Sequence, residues 1–357
     1  MKRKNTRVIK VGDVLIGGNN PISVQSMTNT RTSDVISTVH QIKILEEAGC
    51  NIIRSSVSSI EDAKAIKEIK RQINIPIIAD VQYDYKIALE AIKYGIDGLR
   101  INPGYIGGKE KVEKVVNACK ENNLSIRIGV NSGSVKKQFL DKYNGVNAQS
   151  IVYSALEQIN ILEEMNFHDI KISLKASNVP LTIESYKMMS EVRDYPLHLG
   201  VTEAGTPWRG TIKSSVGIGT LLAMGIGDTI RVSLTGDPIE EVKVGKEILK
   251  SLGLLNEGLE LISCPTCGRT NINLIKIAQE AERMLEGINK PIKVAIMGCA
   301  VNGPGEAREA DIGIAGGNGE GLIFKKGHII KKVKEDELLQ ELLKEIKNLY
   351  KYNNGLE

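Results

Sequence analysis

Between Ile22 and about Thr235 eight short apolar runs recur with amphipathic helical stretches between them, and this repeated βα rhythm restricts the chain more than any other feature. The runs are ISVQSM from Ile22, NIIRSS from Asn51, PIIAD from Pro76, GLRIN from Gly98, SIRIGV from Ser125, DIKISLK from Asp169, PLHLGVT from Pro196 and DTIRVSLT from Asp228. Eight strands, each followed by a helix, predict an α/β fold of the closed (β/α)8 TIM-barrel type in preference to an open doubly wound sheet. In SDVISTVHQIKILEEAG the helix is read from Ser33 as N-cap to a stop at Gly49. RVIKVGDVLIGG, ahead of the first run, reads as a small hairpin that plugs the bottom of the barrel. After IEEVKVGKEILKSLG the rhythm changes to paired cysteines, two Gly-rich loops and a Lys/Glu-rich C-terminal helix. Residues 1–255 are therefore read as a barrel domain that binds substrate, and 256–357 as a smaller α/β domain.

A chain of 357 residues with 41% hydrophobic content can bury a core of that size. Lys plus Arg number 47 against 43 Asp plus Glu, too even a balance for wholesale binding of nucleic acid or a membrane surface. Aromatic residues make up 4%, so stacking platforms for single strands are scarce. The basic N-terminus MKRKNTRVIKVG leads into alternating residues, and no stretch has the apolar length of a membrane span, which predicts a cytoplasmic protein. Five cysteines without a secretion signal point to reduced thiols and to metal or cofactor ligation over a disulfide framework.

Function on a TIM barrel belongs to the C-terminal strand ends, and five strands bring a cation near that end: Arg54, Arg100, Arg127, Lys171 with Lys175, and Arg231. Taken singly, each is as well explained by a neighbouring carboxylate or by solvent. Five together are unfavourable unless an anion compensates them, and guanidinium forks match phosphate oxygens, so a phosphorylated substrate is expected. Asp80, Asn102, Asn131 and Glu203 stand at the same level, with Asn102 and Asn131 as further binding groups. Glu203 in VTEAG is the candidate acid/base, its bland alternatives being a helix cap or an ion pair.

Cys264-Pro-Thr-Cys267 places two thiolates on one tight loop, as zinc and iron-sulfur sites both do, and Cys299 in GCAVNGPGE supplies a third. A structural zinc site would draw a fourth Cys or His, and nearby segments offer only the distant His328. Three thiolates suit a cluster with one unusual iron, held by an oxygen ligand, Glu306 being nearest, or left open for substrate. Cys50 and Cys119 read as packing residues. GIAGG and GNGEG lack the Lys-Ser/Thr of a phosphate-binding P-loop and read as turns.

Nearly the whole chain resembles the 4-hydroxy-3-methylbut-2-enyl diphosphate synthase family, through VQSMTNT, ADVQYDYKIAL, GLRINPGYIG, RIGVNSGS, KISLKAS, LGVTEAGT, GIGDTIRVSLTGDPIEEVKVG, CPTCGR and MGCAVNGPGEAREADIGIAGG. The resemblance implies reductive opening and dehydroxylation of 2-C-methyl-D-erythritol 2,4-cyclodiphosphate in the methylerythritol phosphate route to isoprenoids. Two electrons from flavodoxin or ferredoxin would pass through a [4Fe-4S] cluster held by Cys264, Cys267, Cys299 and Glu306, with Glu306 giving way to substrate. Arg54, Arg100, Arg127, Lys171 and Arg231, with Asn131 and Ser233, fall where the family grips the cyclodiphosphate, and Glu203 where it places its acid/base carboxylate. A homodimer is implied, the cluster domain of one subunit capping its partner's barrel. The chain departs from the family at Gln82, where His is usual, and at Arg31, where Asp is usual; Gln cannot titrate near neutrality, so water or another group must do there what an imidazole would.

Two other readings stand beside this one. A redox-neutral barrel lyase with a structural zinc site would need a lysine poised for a Schiff base, for which Lys171 or Lys175 could be mistaken. A redox-sensing regulator would need a basic stripe, for which KKGHIIKKVK is the candidate, although Glu335, Asp336 and Glu337 suit an ordinary solvated helix better.

Overall fold

The computed structural model describes residues 2–288, 290–300, 305 and 307–353, without the side chains of 351–353. The chain divides into two compact units, Met1–Leu254 and Leu255–Glu357.

The first unit opens with an antiparallel hairpin of β1 (Ile9–Val11) and β2 (Val14–Ile16), turned at Gly12 with φ +56°. Eight parallel strands follow: β3 (Ser23–Met27), β4 (Ile52–Ser56), β5 (Ile77–Asp80), β6 (Gly98–Ile101), β7 (Ser125–Asn131), β8 (Ile170–Lys175), β9 (His198–Leu199) and β10 (Thr229–Ile230). Their order is β8-β7-β6-β5-β4-β3-β10-β9, and a parallel bridge between Ile172 and Leu197 brings the two ends together, so the barrel is nearly closed. All eight sequence-predicted strands are present, each followed by a helix. The hairpin plugs the N-terminal end: Ile9, Val11 and Ile16 bury their side chains against Ile52 and Ile78, near the starts of β4 and β5. Each such burial stabilises by roughly 1.5–3 kcal/mol.

Local chemistry sets the helix starts. The second helix, Ile60–Lys70, begins with a reciprocal capping box between Ser59 and Asp62, and Asp237 caps Pro238–Ser251, with proline at the first helical position. The first helix, Val35–Glu47, is capped by Asp34, whose carboxylate accepts from the Ser37 N–H at 3.1 Å, and not by Ser33. Ser33 instead donates its backbone N–H to Asp62 Oδ1 at 3.0 Å, a contact between segments distant in sequence.

The second unit is a five-stranded sheet of β11 (Leu259–Ser263), β12 (Ile292–Met297), β13 (Ile312–Gly316), β14 (Glu320–Lys325) and β15 (His328–Lys334), paired in that order. The first two pairings are parallel and the last two antiparallel. Helices Leu274–Leu285 and Leu338–Asn353 bury Leu274, Ala281, Leu285, Leu338, Leu342 and Ile346 with strand residues such as Val294, Ile296, Ile314 and Ile323. A smaller cluster gathers Ala295, Met297, Ala307, Ala310, Ala315 and Phe324. Gly313 permits it: a Cβ there would lie 2.5 Å from the Phe324 ring. The basic segment expected as a solvated helix is β15, where His328 and Ile329 pair with Lys325 and Phe324 of β14 across a tight turn at Lys326 and Gly327, and the register shifts at Ile330.

Candidate functional site

Alternation along a strand sends every second side chain to the same face, so register decides which cations meet. Asp80 pairs across the sheet with Arg100, Arg100 with Arg127, and Arg127 with Lys171. Asp80 accepts from Arg100 at 3.0 Å and faces Arg54 Nε at 3.5 Å. Arg127 donates to Ser173 Oγ at 3.0 Å, and Arg231 stands 3.6 Å from Glu241. Arg54, Arg127, Lys171 and Lys175 are buried, while Arg100 and Arg231 keep partial exposure. Among the described residues, six cations thus share two carboxylates, Asp80 and Glu241.

The titration directions follow from that imbalance. Burial lowers Arg54 to about 9, against the pull of Asp80, and lowers Lys171 to about 7 with help from Arg127 and Arg54. Burial and the neighbouring arginines bring Lys175 and Arg127 well below their ordinary values. Burial raises Asp80, but Arg54, Arg100 and Arg127 outweigh it and hold the carboxyl low. Lys171 Nζ and the Nε atoms of Arg100, Arg127 and Arg231 are buried without a hydrogen-bond partner among the described residues. Guanidinium stays charged at neutral pH, so the array suits a multiply charged anion supplying oxygens to these donors.

The other expected residues divide. Asn102 is buried and shapes the loop after β6, its Oδ1 accepting from the Gly104 N–H at 3.1 Å. Asn131 ends β7 in register with Lys175, and Ser233 is half-buried two residues after Arg231. Glu203 is exposed, has φ +52°, and makes neither hydrogen bond nor ion pair among the described residues. It is therefore neither a cap nor a salt-bridge partner there. Its loop is anchored by the Thr202 N–H donating to the Ala176 carbonyl, one residue past Lys175. Left-handed backbone at a non-glycine residue costs about 1–3 kcal/mol and clusters at functional sites. Gln82 and Arg31 are both exposed.

Sequence reading missed two members. His198 on β9 is fully buried, with neither ring nitrogen partnered among the described residues, and burial beside Lys175, Arg127 and Lys171 keeps it neutral. Its signal was alternation, since it shares a face with the residue that pairs with Ser23, Thr229. Glu241 lies on a helix and carried no such signal.

In the second unit, Cys264 directly follows β11 and Cys299 lies two residues past β12, at the C-terminal ends of adjacent parallel strands. The Gly298 N–H donates to Cys264 Sγ at 3.1 Å. The Cys267 N–H donates to Thr270 Oγ1 at 3.2 Å, and hydrogen bonds from the backbone and side chain of Arg269 lower the Cys267 thiol. Cys264 and Cys299 are half-buried and Cys267 is exposed. A thiol held toward thiolate and an N–H aimed at sulfur are the chemistry an iron-sulfur group requires of its ligands. Among the described residues no three His, Cys, Asp or Glu side chains converge at metal-binding distance, and Glu306 lies outside the described residues. Cys50 and Cys119 are buried, and their thiols are pushed up to about 11 and 12, as packing residues should be.

In the basic segment, Lys331 and Lys332 pair with Glu341 and Glu320, and Lys325 with Glu345 at 2.7 Å, so it offers no unbroken cationic stripe. No helix among the described residues is long and apolar enough to cross a membrane.

Comparison with known proteins agrees with this architecture. The GcpE TIM-barrel domain family matches residues 6–246, and the GcpE protein C-terminal domain family matches 260–348. A Clostridium perfringens protein named 4-hydroxy-3-methylbut-2-en-1-yl diphosphate synthase (flavodoxin) is 64% identical over 98% of this chain and 100% of its own length. A Caldanaerobacter subterraneus protein of the same name is 63% identical over 98% of each chain. A solved Plasmodium falciparum HPPK-DHPS structure covers 70% of this chain and 49% of its own, with a TM-score of 0.51 at 15% identity, a likeness of fold alone.

Proposed function

The chain belongs to the GcpE family, and from that premise we propose that it opens 2-C-methyl-D-erythritol 2,4-cyclodiphosphate and reductively removes a hydroxyl, forming 4-hydroxy-3-methylbut-2-enyl diphosphate. It is an oxidoreductase of the methylerythritol phosphate pathway. Two electrons and two protons enter, the ring C–O bond to phosphate breaks, and one water leaves. The observation that carries the reading is the barrel's buried excess of cations, which matches a cyclic diphosphate and has no use in a neutral core.

Arg54, Arg100, Arg127, Lys171 and Arg231 bind the two phosphates, Lys175 joins them, and Asn102, Asn131 and Ser233 orient the ring. Glu203, exposed and without a partner among the described residues, exchanges the proton that departure of the hydroxyl requires. Gln82, being non-titrating, leaves that work to Glu203 or water. The barrel domain (1–255) holds the substrate and the second domain (256–357) carries the redox group. The family implies an iron-sulfur group; we assign it as a [4Fe-4S] cluster held by Cys264, Cys267, Cys299 and Glu306. When bound, that cluster supplies single-electron reducing equivalents. The relatives' names point to flavodoxin as donor, with ferredoxin an equivalent source. A homodimer in which each cluster domain caps the partner's barrel would let electrons and substrate meet.

Anaerobic purification followed by iron, sulfide and zinc analysis, with electron paramagnetic resonance of the reduced protein with and without the cyclodiphosphate, tests this. Four irons per chain and a spectrum that substrate alters are expected. Stoichiometric zinc without a reducible group would overturn the reading and favour the lyase.

A further inference from the structure

Glu241 belongs to helix Pro238–Ser251, and its carboxylate packs against the strands, where the residue is only 5% exposed. Its Oε1 accepts from the Leu234 N–H at 3.0 Å. Its Oε2 accepts from Ser26 Oγ at 3.4 Å and faces an Arg231 terminal nitrogen at 3.6 Å. One side chain therefore ties together β3, the end of β10 and the loop after it. That short arc holds both Arg231 and Ser233, and Leu234 is the next residue. Arg231 Nε has no partner among the described residues, so the contact with Glu241 is what orients its guanidinium. We propose that Glu241 is a positioning residue for the substrate site, holding the Arg231–Ser233 arc in the geometry that grips a diphosphate.

The proposal rests on the assignment of Arg231 to substrate binding, and it has a counter-intuitive electrostatic consequence. A buried carboxylate beside Arg231 opposes an incoming anion. If charge were all it contributed, neutralising it would tighten binding. If it fixes an arc with two binding groups, neutralising it loosens binding, because a guanidinium free to reorient must be ordered by the ligand itself.

The test is a double-mutant cycle of Glu241→Gln and Arg231→Gln in the intact holoenzyme, reading equilibrium binding of the cyclodiphosphate by calorimetry beside kcat and KM. Glu241→Gln is expected to weaken binding about tenfold and to raise KM more than it lowers kcat, with no further loss once Arg231 is Gln. Glu241→Asp, which keeps the charge, should recover part of the binding and serves in place of Gln should Gln lower the yield of folded protein. Tighter binding in Glu241→Gln, or losses that simply add in the double variant, would overturn the proposal. A harmless Arg231→Gln would sink the assignment of Arg231 instead, which keeps the two failures apart.

Discussion

The barrel and the second unit both gather reactive side chains on or just after parallel strands, but they hold them differently. Lys171 is the second residue of β8, nearer the strand start than its sequence suggested, whereas the cysteines all lie past their strands. In the barrel, Arg54, Arg100, Arg127, Lys171 and Lys175 are strand residues, so hydrogen-bond register places each of them, and burial holds all but the partly exposed Arg100. In the second unit, Cys264, Cys267 and Cys299 lie past the strands, on turns organised by bonds such as those the Cys267 N–H donates to Thr270 Oγ1 and the Gly298 N–H to Cys264 Sγ. Register defines a binding array without needing the ligand and imposes the cost of crowding like charges. Turn-borne thiols avoid that cost, and a metal group can still adjust them.

Cys299→Ser strikes the side of this contrast that depends on a bound group. Since an outer-shell partner of a metal site is already worth ~10–100-fold, losing a ligand should reduce activity by about 10³-fold or more. Iron content should fall while the far-ultraviolet circular dichroism of both units persists. Retained iron with full activity would mean that Cys299 is no ligand.

Arg127→Met strikes the preorganised side. Binding of the cyclodiphosphate should weaken by about 100-fold, the worth of a lost charge-assisted pair. The ligand-free protein should nonetheless melt higher, by an amount corresponding to ~1–3 kcal/mol, because an apolar side chain replaces a buried charge that repels its neighbours. Calorimetry of both variant and parent decides it; a lower melting point would show that Arg127 is satisfied by its surroundings.

The gentlest probe is pH. Lys171 falls from its ordinary 10.5 to about 7, so the folded protein binds fewer protons than the unfolded chain between those values. Stability therefore rises with pH across that window and is lost as pH falls back through it toward 7. Urea titrations at intervals from pH 7 to 10 should show the parent gaining on Lys171→Met by on the order of 3 kcal/mol. Saturation with pyrophosphate should flatten the slope, since a nearby anion favours the charged lysine. Parallel curves would remove Lys171 from the unfavourable array.

The sequence by itself determined the eight strands, their helices, the plugging hairpin and the buried state of Cys50 and Cys119, because periodicity, capping and apolar runs act over a few residues. It also put cations on several barrel strands, but register and not strand ends aligned them, since Lys171 stands second in β8 and meets Arg127 there. The tertiary structure alone decided which groups meet. Glu241 reaches Arg231 only because a helix folds back on β3, His198 enters the barrel only through its pairing with Thr229, and Ser33 finds a partner for its backbone N–H in Asp62. The Lys-rich C-terminal segment becomes a strand because β14 offers an open edge for pairing. Each of these outcomes is a contact between segments distant in sequence, set by register and packing, which no short window of residues encodes.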